Sequence, residues 1–317
     1  MAVYQGLSNV ERSLGIPEGK VTIILTDDFV GMVRQLTDDE RFTGERIGGQ
    51  VLGKCIPQTK DYSDVTVLVN ARSLPSHDMI MSPDLLLVAQ LVMQVYLVAH
   101  EVAHPLLHRI RFLGAASDVE ENSTLTSIAR ALTRTIADEY RADRLACGIL
   151  RAALQPLGNE VSLSPWKLFG EARVLELTDA LLGAYPLWPD KVQQNREYKS
   201  SLEDMWTDIR TMVKETLVLL AHAQALAEDD GQLDILNRES LAILPAVRLY
   251  IRGPWEEFMF TLRKAPIVPA VDQARADDEA LVAAGQAALN QLLLSLGLTL
   301  EDQPDGRFAI WVGEPRR

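Results

Sequence analysis

The chain is poor in cysteine: among 317 residues only Cys55 and Cys147 occur, with no C-x-x-C spacing. Neither a disulfide framework nor a cysteine zinc cluster is therefore expected. Basic residues are also outnumbered, with Lys+Arg 31 against Asp+Glu 44 and a formal net charge of −13. A surface of that sign repels phosphate backbones and anionic lipid, so nucleic acid and membrane surfaces are not expected as direct partners. Long apolar runs are scarce as well. The longest, Leu85 to Ala99, contains Gln90 and Gln94 and ends at His100. It is too short for a membrane span and reads as a buried helix. The first residues, MAVYQGLSNVERSLG, lack a basic start followed by an apolar run. No secretion signal is read, and a cytoplasmic location is expected.

What remains is an ordinary globular composition, 47% hydrophobic and 24% charged, long enough for one large domain or two moderate ones. KVTIILTDDF (20–29) reads as a β-branched strand followed by a helix through GMVRQLTDDE. GGQVLGKCI and DVTVLVNA read as two further strands joined by the turn-rich PQTKDYSD. SPDLLLVAQ opens a helix, with Ser82 at the N-cap, Pro83 at the first helical position and Gly114 as the stop. A second long helix is expected over roughly 124–154, and a linker over 155–165. Beyond it the pattern predicts helices at 166–182, 189–227, 236–264 and 272–297, and a closing strand within 306–315. The expected division is thus 1–155, a small sheet plus a helical pair, and 156–317, mainly α-helical and without a recognisable chemical motif.

The chemistry concentrates in VYLVAHEVAHPLLHRI (95–110). His100-Glu101-Val102-Ala103-His104 matches H-E-x-x-H, which on a helix places two imidazoles on one face for a single metal ion. Glu101 points slightly aside, suited to take a proton from a water that Zn2+ has acidified. His108 lies eight residues beyond His100, a rise of about 12 Å, too far to join them on one ion. Its expected role is capping, packing or outer support. A catalytic zinc usually has three protein ligands, and DEYRADRLA offers the missing one. Glu139 and Asp143, again four apart, can supply one ligand and one acceptor for a histidine N–H. Glu139 falls level with the histidines if its helix begins near Thr124–Thr126, which leaves GAASDVEENS mostly as loop. A start at Asp118 would carry it past them. Pro105 removes the N–H that would bond the Glu101 carbonyl, so a local kink is expected there. Tyr140 and His222 are candidates for stabilising an oxyanion by residue type alone.

These paired motifs resemble the gluzincins. LVAHEVAHPLLH with the downstream DEYRADRLA is similar, more narrowly, to the ImmA/IrrE-type metallopeptidases of bacteria and their mobile elements. The resemblance covers roughly residues 20–155. It implies an α+β fold, with a zincin-like N-terminal domain ahead of the helical C-terminal half. It further implies Zn2+ held by His100, His104 and Glu139, Glu101 as general base, and Asp143 orienting a ligand. The strand before the zinc helix, around Val65–Asn70, would edge the cleft and pair with an extended substrate. The implied activity is regulated cleavage of an intracellular protein or peptide. A catalytically silent scaffold that binds a protein is the alternative, and an amidase on the same core a third.

Overall fold

The computed structural model describes residues 2–46, 49–73, 83–114, 125–154, positions 218, 221–222 and 224–226, and residues 256–271, 273–295, 298–302 and 308–312. The fold is mixed α+β, a small sheet among mostly helices. Helix α1 (Ala2–Ser13) precedes strand β1 (Lys20–Thr26), helix α2 (Phe29–Thr37) and the short strands β2 (Glu45–Arg46) and β3 (Gly49–Gln50). Strands β4 (Gly53–Pro57) and β5 (Asp64–Asn70) follow, then the long helices α3 (Pro83–Gly114) and α4 (Leu125–Leu154). Helices α5 (Glu256–Lys264) and α6 (Ala274–Ser295) and the hairpin strands β6 (Leu298–Asp302) and β7 (Phe308–Val312) complete the described elements.

Sheet order is β1-β5-β4, with β5 parallel to β1 and antiparallel to β4. The central position of β5 follows from its sequence, DVTVLVN, whose residues after Asp64 are all buried. A strand covered on both faces reads as a continuous β-branched run rather than an alternating one. Its side chains still alternate. Val67 and Val69 join the core beneath α3, whereas Leu68 packs with Ile56, Phe29 and Val33 of the α2 layer. Asp28 caps α2 by accepting from the Gly31 N–H at 3.2 Å.

Several expectations are met and others change. GGQVLGKCI divides into β3 and β4 instead of forming one strand. α1, not anticipated, buries Val3 and Leu7 in the main core. β7 lies within the expected closing strand, and it pairs antiparallel with the unanticipated β6. α5 and α6 fall within the expected helices 236–264 and 272–297, and positions 218, 221–222 and 224–226 are helical within 189–227. The helix at 166–182, the linker at 155–165, the Ser82 cap and most of GAASDVEENS lie outside the described residues. α4 begins at Leu125, the start that places Glu139 level with the histidines.

The helix continues through Pro105, so the proline does not end it. Burial of Ala103, Leu106 and Leu107 on either side holds the backbone where one missing hydrogen bond would loosen it. Leu86–Arg111 is long and apolar enough to cross a membrane, by length and composition only, which the shorter Leu85–Ala99 run does not convey. In the fold it is a core helix, with Val92, Ala99, Val102, Leu106 and Ile110 buried against sheet and helices.

A buried ion pair ties α1 to α3. Arg109 donates to the Glu11 carboxylate and to the Pro17 carbonyl, while Glu11 also accepts from the Gly19 N–H at 3.1 Å. Both side chains are nearly inaccessible. Removing one partner strands a charge in low dielectric. Glu11→Ala should therefore cost about 3–5 kcal/mol, read as a lower urea midpoint at unchanged slope.

Candidate metal centre

The site is built between α3 and α4, which run antiparallel: His104 sits opposite Glu139 and His100 opposite Asp143. Alanines line the crossing, with Ala99, Ala103, Ala142 and Ala146 essentially inaccessible. Small side chains let the two backbones approach, so imidazoles from one helix reach carboxylates of the other.

Asp143 is the hub. Its side chain is only 1% exposed. One oxygen accepts from Tyr96 Oη and lies 2.7 Å from His100 Nδ1, and the other lies 2.5 Å from His222 Nδ1. Because an ionised carboxylate only accepts, both Nδ1 atoms must carry hydrogens. The Nε2 atoms point the other way, toward Glu139. Glu139 Oε2 is 3.3 Å from His100 Nε2, 3.6 Å from His104 Nε2 and 3.4 Å from His222 Nε2. His104 Nε2 is itself 3.2 Å from His100 Nε2.

Such an arrangement fits a cation. With Nδ1–H fixed by Asp143, His100 turns Nε2 toward the Glu139 carboxylate, and a metal ion displacing the proton between them would meet a lone pair on each. Acceptors facing one another in a buried site need a positive charge between them. Tetrahedral zinc with bonds of 2.0–2.1 Å holds its ligand atoms about 3.4 Å apart, close to the separations seen. Ligand atoms of His100, Glu139 and His222 all lie within 4.8 Å of one another. The donor set of imidazole nitrogens and one carboxylate suits zinc.

Electrostatics point the same way. Burial raises the Glu139 pKa, but His104, His100 and His222 outweigh it and hold the carboxyl well below its usual range. Asp143 behaves likewise, with burial overcome by His222 and His100. Burial lowers the His100 pKa, yet Asp143 and Glu139 keep it well above its ordinary value. Each shift favours added positive charge in the cluster.

The cleft over this cluster has a volume of about 440 Å³ and is lined by α3, by Glu139 and Asp143 of α4, by His222 and by Gly53, Lys54, Cys55 and Pro57 of β4. Here one expectation is corrected. β5 does not edge the cleft, because β1 and β4 flank it on both sides. The edge strand is β4, which borders the cleft from Gly53 to Cys55. Gly53 faces Glu101 so closely that an added Cβ would stand 2.6 Å from Glu101 Oε1 and 2.7 Å from its Cγ. Gly53→Ala should displace the Glu101 carboxylate, lowering any hydrolytic rate by about tenfold or more while zinc affinity stays near wild type. Comparing turnover with metal content checks this. Cys55 also faces Glu101: burial, then the Glu101 charge, pushes its thiol up to about 12.

The structure thus brings His100, His104, Glu139 and Asp143 together, with Glu101 in the same cleft lining. His108 is apart from the cluster, stacked on Tyr62 with ring centroids 4.6 Å apart. Burial holds its imidazole below the ordinary range. Tyr140 is corrected as an oxyanion candidate. It packs with Ile136, Ala137, Phe258 and Leu281 in a second core and does not line the cleft. His222 does line it, but with Nδ1 bound to Asp143 and Nε2 aimed at Glu139. Sequence reasoning missed Tyr96 as an Asp143 partner, although it lies one helical turn before His100 on the same face. It also missed Gly53, which only a three-dimensional approach distance identifies. His77, the fifth histidine, lies outside the described residues.

No family model, curated protein or solved structure matches the chain.

Proposed function

We propose that the protein is a zinc-dependent peptidase of gluzincin type with a zincin-like N-terminal half, resembling the ImmA/IrrE-type enzymes and acting on a protein or peptide substrate. The observation that carries this reading is Asp143 holding His100 with Nε2 turned toward Glu139 and His104, with the H-E-x-x-H glutamate beside them. His100, His104 and Glu139 would hold the ion, which when bound supplies Lewis acidity toward water and a peptide carbonyl. Glu101 accepts the proton of the attacking water and returns it to the leaving amine nitrogen. The Gly53 backbone leaves space for that carboxylate. Asp143 keeps the His100 ring in one tautomer and orientation. The outer edge of β4 offers main-chain groups to an extended peptide, the β-augmentation mode of recognition.

Purified protein should contain stoichiometric zinc and cleave an unfolded protein substrate, with cleavage lost on chelation and restored by added zinc. Zinc-bound protein that captures a partner without ever cleaving it supports the silent scaffold instead. Protein that takes up no zinc overturns the peptidase reading.

A further inference from the structure

We propose that His222 is a fourth protein ligand of the centre, so that the resting site is closed and a substrate enters it by displacing that ligand. The inference rests on the zinc reading above and concerns how that site is regulated.

Two observations carry it. His222 is buried, and its Nδ1 is engaged by the second oxygen of the same Asp143 that orients His100. One carboxylate therefore holds two imidazoles in the same tautomer, each with Nε2 turned inward. The spacing gathers all three imidazoles about one carboxylate oxygen. Separations of 3.3, 3.6 and 3.4 Å from Glu139 Oε2 to the three Nε2 atoms, and 3.2 Å between His100 and His104, lie near the distance of about 3.4 Å expected between neighbouring ligand atoms on zinc.

A structural zinc site fills four positions with protein atoms, whereas a catalytic one leaves a position for water or substrate. His100, His104 and Glu139 come from two helices locked together through the alanine crossing. His222 comes from far along the chain. It is the ligand whose withdrawal would open the centre without unmaking the α3–α4 pair.

Cobalt substitution tests this without relying on activity. The intact wild-type chain of 317 residues should bind Co2+ stoichiometrically with a four-coordinate visible spectrum that azide does not change. His222→Ala should still bind Co2+, with affinity at least about tenfold lower, and azide should now shift its spectrum. Azide binding to the wild-type site, or equal Co2+ affinity in wild type and variant, overturns His222 as a ligand. The wild-type azide titration decides this even if the variant folds poorly. Failure of the zinc reading looks different: wild type takes up no metal, or His100→Ala binds as tightly as wild type.

Discussion

Glu101→Gln is expected to lower cleavage of a susceptible protein by about 10²- to 10⁴-fold while leaving zinc content stoichiometric. The substitution keeps the shape of the side chain and removes its ability to take a proton. Glu101 is outside the set of atoms that converge on Glu139 Oε2, so the ligands should not register the change. Cys55 provides an internal reporter. Part of the upward shift of its thiol comes from the Glu101 charge, so the variant thiol should be alkylated faster at alkaline pH. Faster alkylation with intact zinc and lost turnover would assign the base. A variant as active as wild type would falsify that assignment.

Asp143→Asn is expected to weaken zinc binding by about 10- to 100-fold and to destabilise the metal-free chain. The amide matches the carboxylate in size but replaces one acceptor oxygen with a donor. It can accept from one imidazole only, and its NH2 then faces the Nδ1 of the other. That second ring must turn or move its hydrogen to Nε2, where it blocks the lone pair the metal needs. Tyr96 Oη loses its ionised acceptor in the same step. Competition with a chelator measures the affinity, and urea unfolding of the zinc-free protein measures the stability. Wild-type affinity in the variant would show that Asp143 does not position the ligands.

Much of this site is local and therefore legible in the sequence. His100 and His104 share a helix face by arithmetic, as do Glu139 and Asp143, and the depth of Glu139 follows from where α4 starts. The strand character of Lys20–Thr26 and Asp64–Asn70 is likewise written in β-branched runs. Pairing is not. Nothing in VLGKCI marks it as the sheet edge, because which neighbour a strand finds depends on the crossover that brings β5 beside β1. His222 was equally hidden. A lone histidine in LLAHAQAL carries no periodic or spacing signal, and its meaning appears only when Asp143 is found with a second oxygen to share. Tyr140 shows the converse error, since residue type alone suggests a role that its burial in the second core, away from the cleft, denies.

α4 belongs to two cores. Ala146, Cys147 and Leu150 pack with the sheet and α3, while Ile136, Ala137 and Tyr140 meet α5, α6, Val218, Ala221 and Ala225. During synthesis, a chain elongated to residue 155 already carries H-E-x-x-H and Glu139. Its Asp143 still awaits His222, and the outer flank of α4 is bare. If His222 is the fourth ligand, the centre gains that imidazole only after dozens more residues have left the ribosome, so the first 155 residues alone would present an open site.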